Sequence, residues 1–165
     1  MLVTPSAALA SAVQAELERQ LALLPRAEIA RSSIENNGKI ILVPTLDAGI
    51  AIANEIAPEH LELSVDDPFA LLGKVQNAGS IFLGKYCPEA LGDYFAGPNH
   101  TLPTGGTARF SSPLSVDDFV KRSQFSYYTP EALAAAGKKV ARFAQAEGLD
   151  AHAESVLIRL SEEAK

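Results

Sequence analysis

Between Tyr86 and Phe110 the chain reads YCPEALGDYFAGPNHTLPTGGTARF, with prolines at 88, 98 and 103 and glycines at 92, 97, 105 and 106. Proline removes a backbone donor and clashes with the preceding helical turn, and glycine loses the most conformational entropy on ordering. No long helix or strand fits this stretch, and most of it is expected to be loop. A long loop inside a compact domain is either functional or disordered. Disordered segments are poor in aromatics, yet Tyr86, Tyr94, Phe95 and Phe110 all fall here. The expectation is an ordered loop that holds Asp93, His100 and Arg109 in fixed places.

The remainder of the chain alternates strand and helix signals. Leu2-Val3-Thr4 is β-prone, and Ser6 caps a helix over about 7–23 whose Leu9, Val13, Leu17 and Leu21 recur at helical spacing. After the Asn36-Asn37-Gly38 turn, residues 39–43 are continuously apolar beyond Lys39, the pattern of a parallel strand covered on both faces. Asp47 is expected to cap a helix over 48–57. Residues 61–65 alternate as a strand, Pro68 opens a short helix to about Val75, and residues 80–83 form another buried strand. Strands alternating with helices across short turns imply a parallel α/β sheet with right-handed crossovers. Ligands of such sheets sit beyond the strands' carboxyl ends, where the Pro58-Glu59-His60 turn or the loop after Leu83 could project.

Beyond Arg109 the texture changes to a short capped helix at 115–120, a β-prone piece from Ser123 to Tyr128, a helix from Thr129 to about Glu147 stopped by Gly148, and a last helix capped by Asp150. This tail has few large apolar residues of its own and is expected to pack on something else. The fold class read here is α/β: a partial parallel Rossmann-like sheet flanked by helices over 1–114, then a small mainly helical tail domain over 115–165.

At 165 residues and 47% apolar, one domain with a small appendage and a sizeable core is expected. A formal charge of −6 with scattered basic residues argues against nucleic acid as a partner. No apolar run reaches the length of a membrane span, and the N-terminus lacks the basic start of a secretion signal. The single cysteine, Cys87, excludes an internal disulfide and fits a reducing, cytoplasmic setting. It reads as a packing residue, because no base is placed beside it.

Each chemical group has two readings. Glu59 and His60, adjacent at a turn, can enter one cleft as acid–base groups, or His60 can simply favour the C-terminal dipole of the preceding helix. Asp93 is a metal ligand or a turn former, and Glu147 is a site residue or a solvated helix end. Arg109 clasps an anion or a nearby carboxylate. Gly105-Gly106 lacks the glycine spacing of a nucleotide loop and reads as a backbone-conformation pair.

Four segments, IAPEHLEL (56–63), NAGSIFLG (77–84), PEALGDYFAGPNHTLPTGGTARFSSPLSVDDF (88–119) and AEGLDAHAESVLIRL (146–160), together resemble the C-terminal part of histidinol dehydrogenase. Their order and spacing fit across essentially the whole chain, and the long central block is highly specific. One departure is Gly105, where the family often has Ser. The resemblance implies oxidation of L-histidinol to L-histidine through the aldehyde in two NAD-dependent steps, within histidine biosynthesis. It places acid–base roles on Glu59 and His60, with Glu59 activating a water. Asp93 and His152 would be zinc ligands, and His60, Asp93, Glu147 and His152 substrate contacts, with His100 supporting the site. Family members are much longer, and their upstream part carries two further zinc ligands and the NAD site, for which no residue here can be assigned. The expectation is a chain inactive alone, partnered by an N-terminal half or by a second copy through the swapped tail. The competing expectation is a non-catalytic α/β piece that self-associates or binds a small ligand.

Overall fold

The computed structural model describes residues 1–162 and divides into two compact units, Met1–Val120 and a second beginning at Lys121. The first unit opens with β1 (Leu2–Thr4) and α1 (Ala7–Leu21), whose N-cap is Ser6: its hydroxyl accepts from the Leu9 N–H at 3.1 Å. Helix α2 (Ala27–Asn37) was not foreseen in the sequence. None of its residues is fully buried, its inward side being the half-buried Ala27, Ala30 and Ile34, and Arg31 ties it to Glu18 of α1 at 3.0 Å. Strand β2 (Ile40–Leu42) pairs in parallel with β1, Leu2 opposite Ile40 and Thr4 opposite Leu42.

The continuous apolar run of β2 led to an expectation of cover on both faces, and the structure differs. Ile40 and Leu42 are 38% and 57% exposed, and among the described residues β1 is the only strand paired with β2. Helix α3 (Leu46–Ile56) follows, capped by Thr45, whose hydroxyl accepts from the Ala48 N–H. Asp47, expected as the cap, instead accepts from Lys74 Nζ at 2.5 Å. Ala57 closes α3 in the left-handed region at φ 52°, its N–H bonded to Ala53 O, and turns the chain into the next strand.

Strands β3 (His60–Leu63) and β4 (Ser80–Leu83) form a second parallel pair, joined by the short helix α4 (Phe69–Leu72), which stops before the expected Val75. Among the described residues the sheet is thus two separate two-stranded pairs rather than one continuous layer. Because side chains alternate along a strand, Leu61, Leu63, Ile81 and Leu83 share one face. That face meets Ile50 of α3 and Leu71 of α4 in the unit's main core. His60, Glu62, Ser80 and Phe82 point the other way.

Asn54 of α3 locks the approach to β4. Its Nδ2 donates to Lys74 O at 2.9 Å, its Oδ1 accepts from the Gln76 and Asn77 N–H groups at 2.7 and 3.2 Å, and Asn77 Nδ2 donates back to Asn54 O. Asn54→Ala strands those loop groups together, so a loss of about 1–2 kcal/mol is expected. The check is a lower urea midpoint with an unchanged m-value.

After β4 come helix α5 (Glu89–Tyr94) and two 3₁₀ turns, Thr107–Arg109 and Val116–Phe119. Ser115 and Asp118 close a capping box around the second turn. The second unit pairs helix α6 (Pro130–Ala146), with Pro130 at its start and Thr129 as cap, and helix α7 (Asp150–Glu162). Gly148 breaks between them at φ 74°. Their seam is made of small residues, Ala141, Ala144 and Ala153, with Leu157 against them. The β-prone 123–128 stretch forms no strand, since no other described strand offers it a ladder. No helix among the described residues is long and apolar enough to cross a membrane.

Candidate acid–base site

The site is built on the outward face of β3 and β4. Pro58 O and Glu59 O accept from the Gly79 and Ser80 N–H groups at 2.9 and 2.8 Å, which pins the Glu59-His60 turn to the start of β4. Gly79 is required here: a Cβ would lie 2.6 Å from Glu59 O, a backbone atom that cannot step aside. The turn therefore enters β3 at its amino end and does not project beyond a carboxyl end, because the ladder already begins at His60 opposite Ser80.

Helix α5 crosses this face. Its first N–H, from Glu89, donates to Glu62 Oε1 at 2.9 Å. Gly92 faces the ring of Phe82 so closely that a Cβ would sit 2.5 Å from it. Phe82, only 5% exposed, in turn packs against the His60 imidazole at 5.9 Å between centroids and a 40° tilt. Asp93 accordingly sits on a helix, not in the expected loop. A six-residue helix fits between Pro88 and Gly97, where a longer one would not.

Glu89 and Asp93 are four residues apart and so share one side of α5. Ligand atoms of His60, Glu89 and Asp93 all lie within 4.8 Å of one another, with His60 Nε2 3.8 Å from Glu89 Oε1. The His60 side chain is 30% exposed, yet Nε2 itself is shut off from solvent and has no hydrogen-bond partner. Asp93, by sharing a hydrogen bond, holds the Glu89 carboxyl above the usual carboxylate range. Burial, the Asp93 charge and Glu62 add to this, and His60 opposes it.

Of the sequence-derived candidates, His60 and Asp93 are brought together, and Glu59 stands next to His60 at the pinned turn. His100 lies outside that cluster, on an open groove with Asn99, Thr101, Leu114 and Phe119. Glu147 caps the end of α6 and His152 lies on α7, both exposed and both in the second unit. Among the described residues, Arg109 has backbone carbonyls as its hydrogen-bond partners rather than a carboxylate. Its guanidinium donates to Gly106 O at 2.8 Å and to Glu55 O, tying the 3₁₀ turn to the last turn of α3. Sequence reasoning missed Glu89. The available signal was its i, i+4 spacing from Asp93 in PEALGD, masked by the surrounding glycines and prolines.

A parallel α/β unit that sets a shielded imidazole against two carboxylates is a candidate acid–base site, and its nitrogen and oxygen donors are also of the kind zinc takes. Residues 1–160 match the family model described as histidinol dehydrogenase, and the chain belongs to that family of oxidoreductases. A histidinol dehydrogenase of Bacillus thuringiensis subsp. konkukian is 57% identical over 98% of this chain and 38% of its own length. One from Geobacter metallireducens is 56% identical over 99% of this chain and 37% of its own. The crystal structure of histidinol dehydrogenase from Elizabethkingia anophelis superposes with a TM-score of 0.86 at 35% identity, covering 99% of this chain and 38% of that one. The chain thus spans less than two-fifths of the length of these relatives.

Proposed function

We propose that this chain is the C-terminal portion of a histidinol dehydrogenase and supplies the proton-handling residues for oxidation of L-histidinol to L-histidine through the aldehyde. The observation that carries this reading is the convergence of His60, Glu89 and Asp93 on one strand face, beside Glu59. In the first step His60 would take the hydroxyl proton, and NAD, when bound, would supply the oxidant that accepts the carbon-bound hydrogen as hydride, as the alcohol becomes the aldehyde. In the second, Glu59 takes a proton from the water that adds to the aldehyde carbon. Only the backbone carbonyl of Glu59 is used in the strand contact, which leaves its carboxylate for that water.

Zinc and NAD are the cofactors the family implies. The carboxylates gathered beside His60 include Asp93, an oxygen donor of the kind zinc takes, and the family resemblance implies Asp93 and His152 as its ligands. Zinc there would grip nitrogen atoms of the substrate without redox change. Glu147 joins His60, Asp93 and His152 as a substrate contact in this reading, and His100 supports the site from its groove. The glycine pair at 105–106 has no cofactor role in this reading: a Cβ at Gly106 would meet Arg109 Nη1 at 2.5 Å, so the pair serves the close approach of that guanidinium.

The reading extends to a cytoplasmic enzyme of histidine biosynthesis whose tail domain, 115–165, is exchanged with a second copy. Supporting the exchange, Phe125, Tyr127 and Phe143 are all more than two-thirds exposed, beside a helix pair whose own core is mostly alanine. Light scattering at micromolar concentration is expected to give the mass of two chains, and a single-chain mass would count against the swap. The function itself is tested by NADH formation from L-histidinol, NAD and zinc, first with this chain alone and then mixed with the preceding region of a relative. Turnover in the mixture alone is the expected result. A folded chain with no turnover in either would favour a non-catalytic, self-associating piece.

A further inference from the structure

We propose that Glu89 is a positioning residue for His60, its carboxylate engaging Nε2 so that the other ring nitrogen is presented to the substrate. The inference rests on the reading of His60 as the proton carrier. It starts from a vacancy in the hydrogen bonding: among the described residues His60 Nε2 is a solvent-shielded polar atom without a partner, and an unpaired buried nitrogen is costly. The Glu89 carboxylate faces it at 3.8 Å, about one ångström beyond a hydrogen bond. Catalytic contacts often stand this long before substrate closes the site.

Glu89 is held in place to do this from both ends of its own helix turn. Its backbone N–H is held by Glu62 Oε1, and Gly92, three residues on, seats α5 flat on Phe82. Phe82 also backs the imidazole, so the ring is confined by an aromatic wall from β4 and a carboxylate from α5. An orienting carboxylate on one nitrogen fixes the tautomer and the reactive direction of the other. Nδ1, which makes no hydrogen bond among the described residues, is then the atom that exchanges a proton with the substrate.

The test compares Glu89→Ala with Glu89→Gln, whose amide oxygen still accepts a hydrogen bond. In the complemented enzyme Glu89→Ala is expected to lower kcat about ten- to a hundredfold with the KM for histidinol nearly unchanged, and Glu89→Gln to recover most of the loss. A rise in KM with kcat intact would make Glu89 a substrate contact and overturn the proposal, as would full activity of Glu89→Ala. A second readout needs no turnover. In this chain at a pH where imidazole is neutral, ¹⁵N-detected histidine spectra are expected to show His60, assigned by its loss in His60→Ala, in a single Nε2–H form. Glu89→Ala should return it to a mixture of tautomers. Unchanged His60 signals in Glu89→Ala overturn the pairing whether or not the chain proves to be a dehydrogenase. A silent complemented wild type with a shifted His60 signal would instead fault the functional reading alone.

Discussion

His60→Ala is expected to lower NADH formation by the complemented chain about 100- to 10,000-fold while leaving the fold intact. The magnitude is that of removing a positioned general acid–base group. Intact folding follows from the local structure. The strand pairing of His60 runs through its backbone, its side chain is partly exposed, and Nε2 has no hydrogen bond to lose. What alanine removes is the imidazole that stands between Phe82 and Glu89. Far-UV circular dichroism should therefore match wild type while the progress curve flattens. A variant that keeps more than a tenth of wild-type turnover would show that some other group carries the proton.

Gly92→Ala should be the most damaging small change in the first unit. Two effects oppose each other. Alanine is the better helix former by about 1 kcal/mol, which favours α5 taken alone. Against that, the new methyl would lie 2.5 and 2.9 Å from two carbons of the Phe82 ring, which is buried between α5 and the imidazole and has nowhere to turn. Overpacking of that kind costs about 1–3 kcal/mol, so the clash wins or at least cancels the gain in propensity. The helix can relieve it only by lifting from the strands, and lifting carries Glu89 and Asp93 away from His60. The expected result is a melting temperature lower by several degrees together with a larger loss of turnover than of stability. Combining Gly92→Ala with Phe82→Leu, which vacates the ring, should recover part of both. Additive effects in that double mutant would mean that the two side chains do not compete for one space.

Much of the local structure was legible because it is set by neighbours in the chain. Ser6 and Thr129 announce their helices by capping, Gly148 marks a break that needs positive φ, and the 61–65 and 80–83 patterns mark strands whose apolar face is buried. The adjacent Glu59-His60 pair and Asp93 could be singled out for the same reason, as unusual residues in a pattern that a family resemblance made specific. Helix α2 was missed, since its inward side is mostly small residues, Ala27 and Ala30 with Ile34, and a surface pair, Arg31 with Glu18, adds to its hold.

What only the tertiary structure decided is how those pieces meet. Whether β2 is covered depends on what lies above it, and Ile40 and Leu42 show that an apolar run specifies a preference for burial without supplying the cover. The partner of Arg109 is a helix end far away in sequence, and no spacing rule reaches that far. Above all, Glu89 became a site residue only when α5 crossed the face of β3. Its distance to His60 is set by Gly92 seated on Phe82 and by the Glu62 carboxylate at the helix start, contacts between elements rather than along one. Local propensity is encoded in hydrogen bonds a few residues long, whereas the acid–base geometry is encoded in packing, which exists only once the strands and helices have closed on each other.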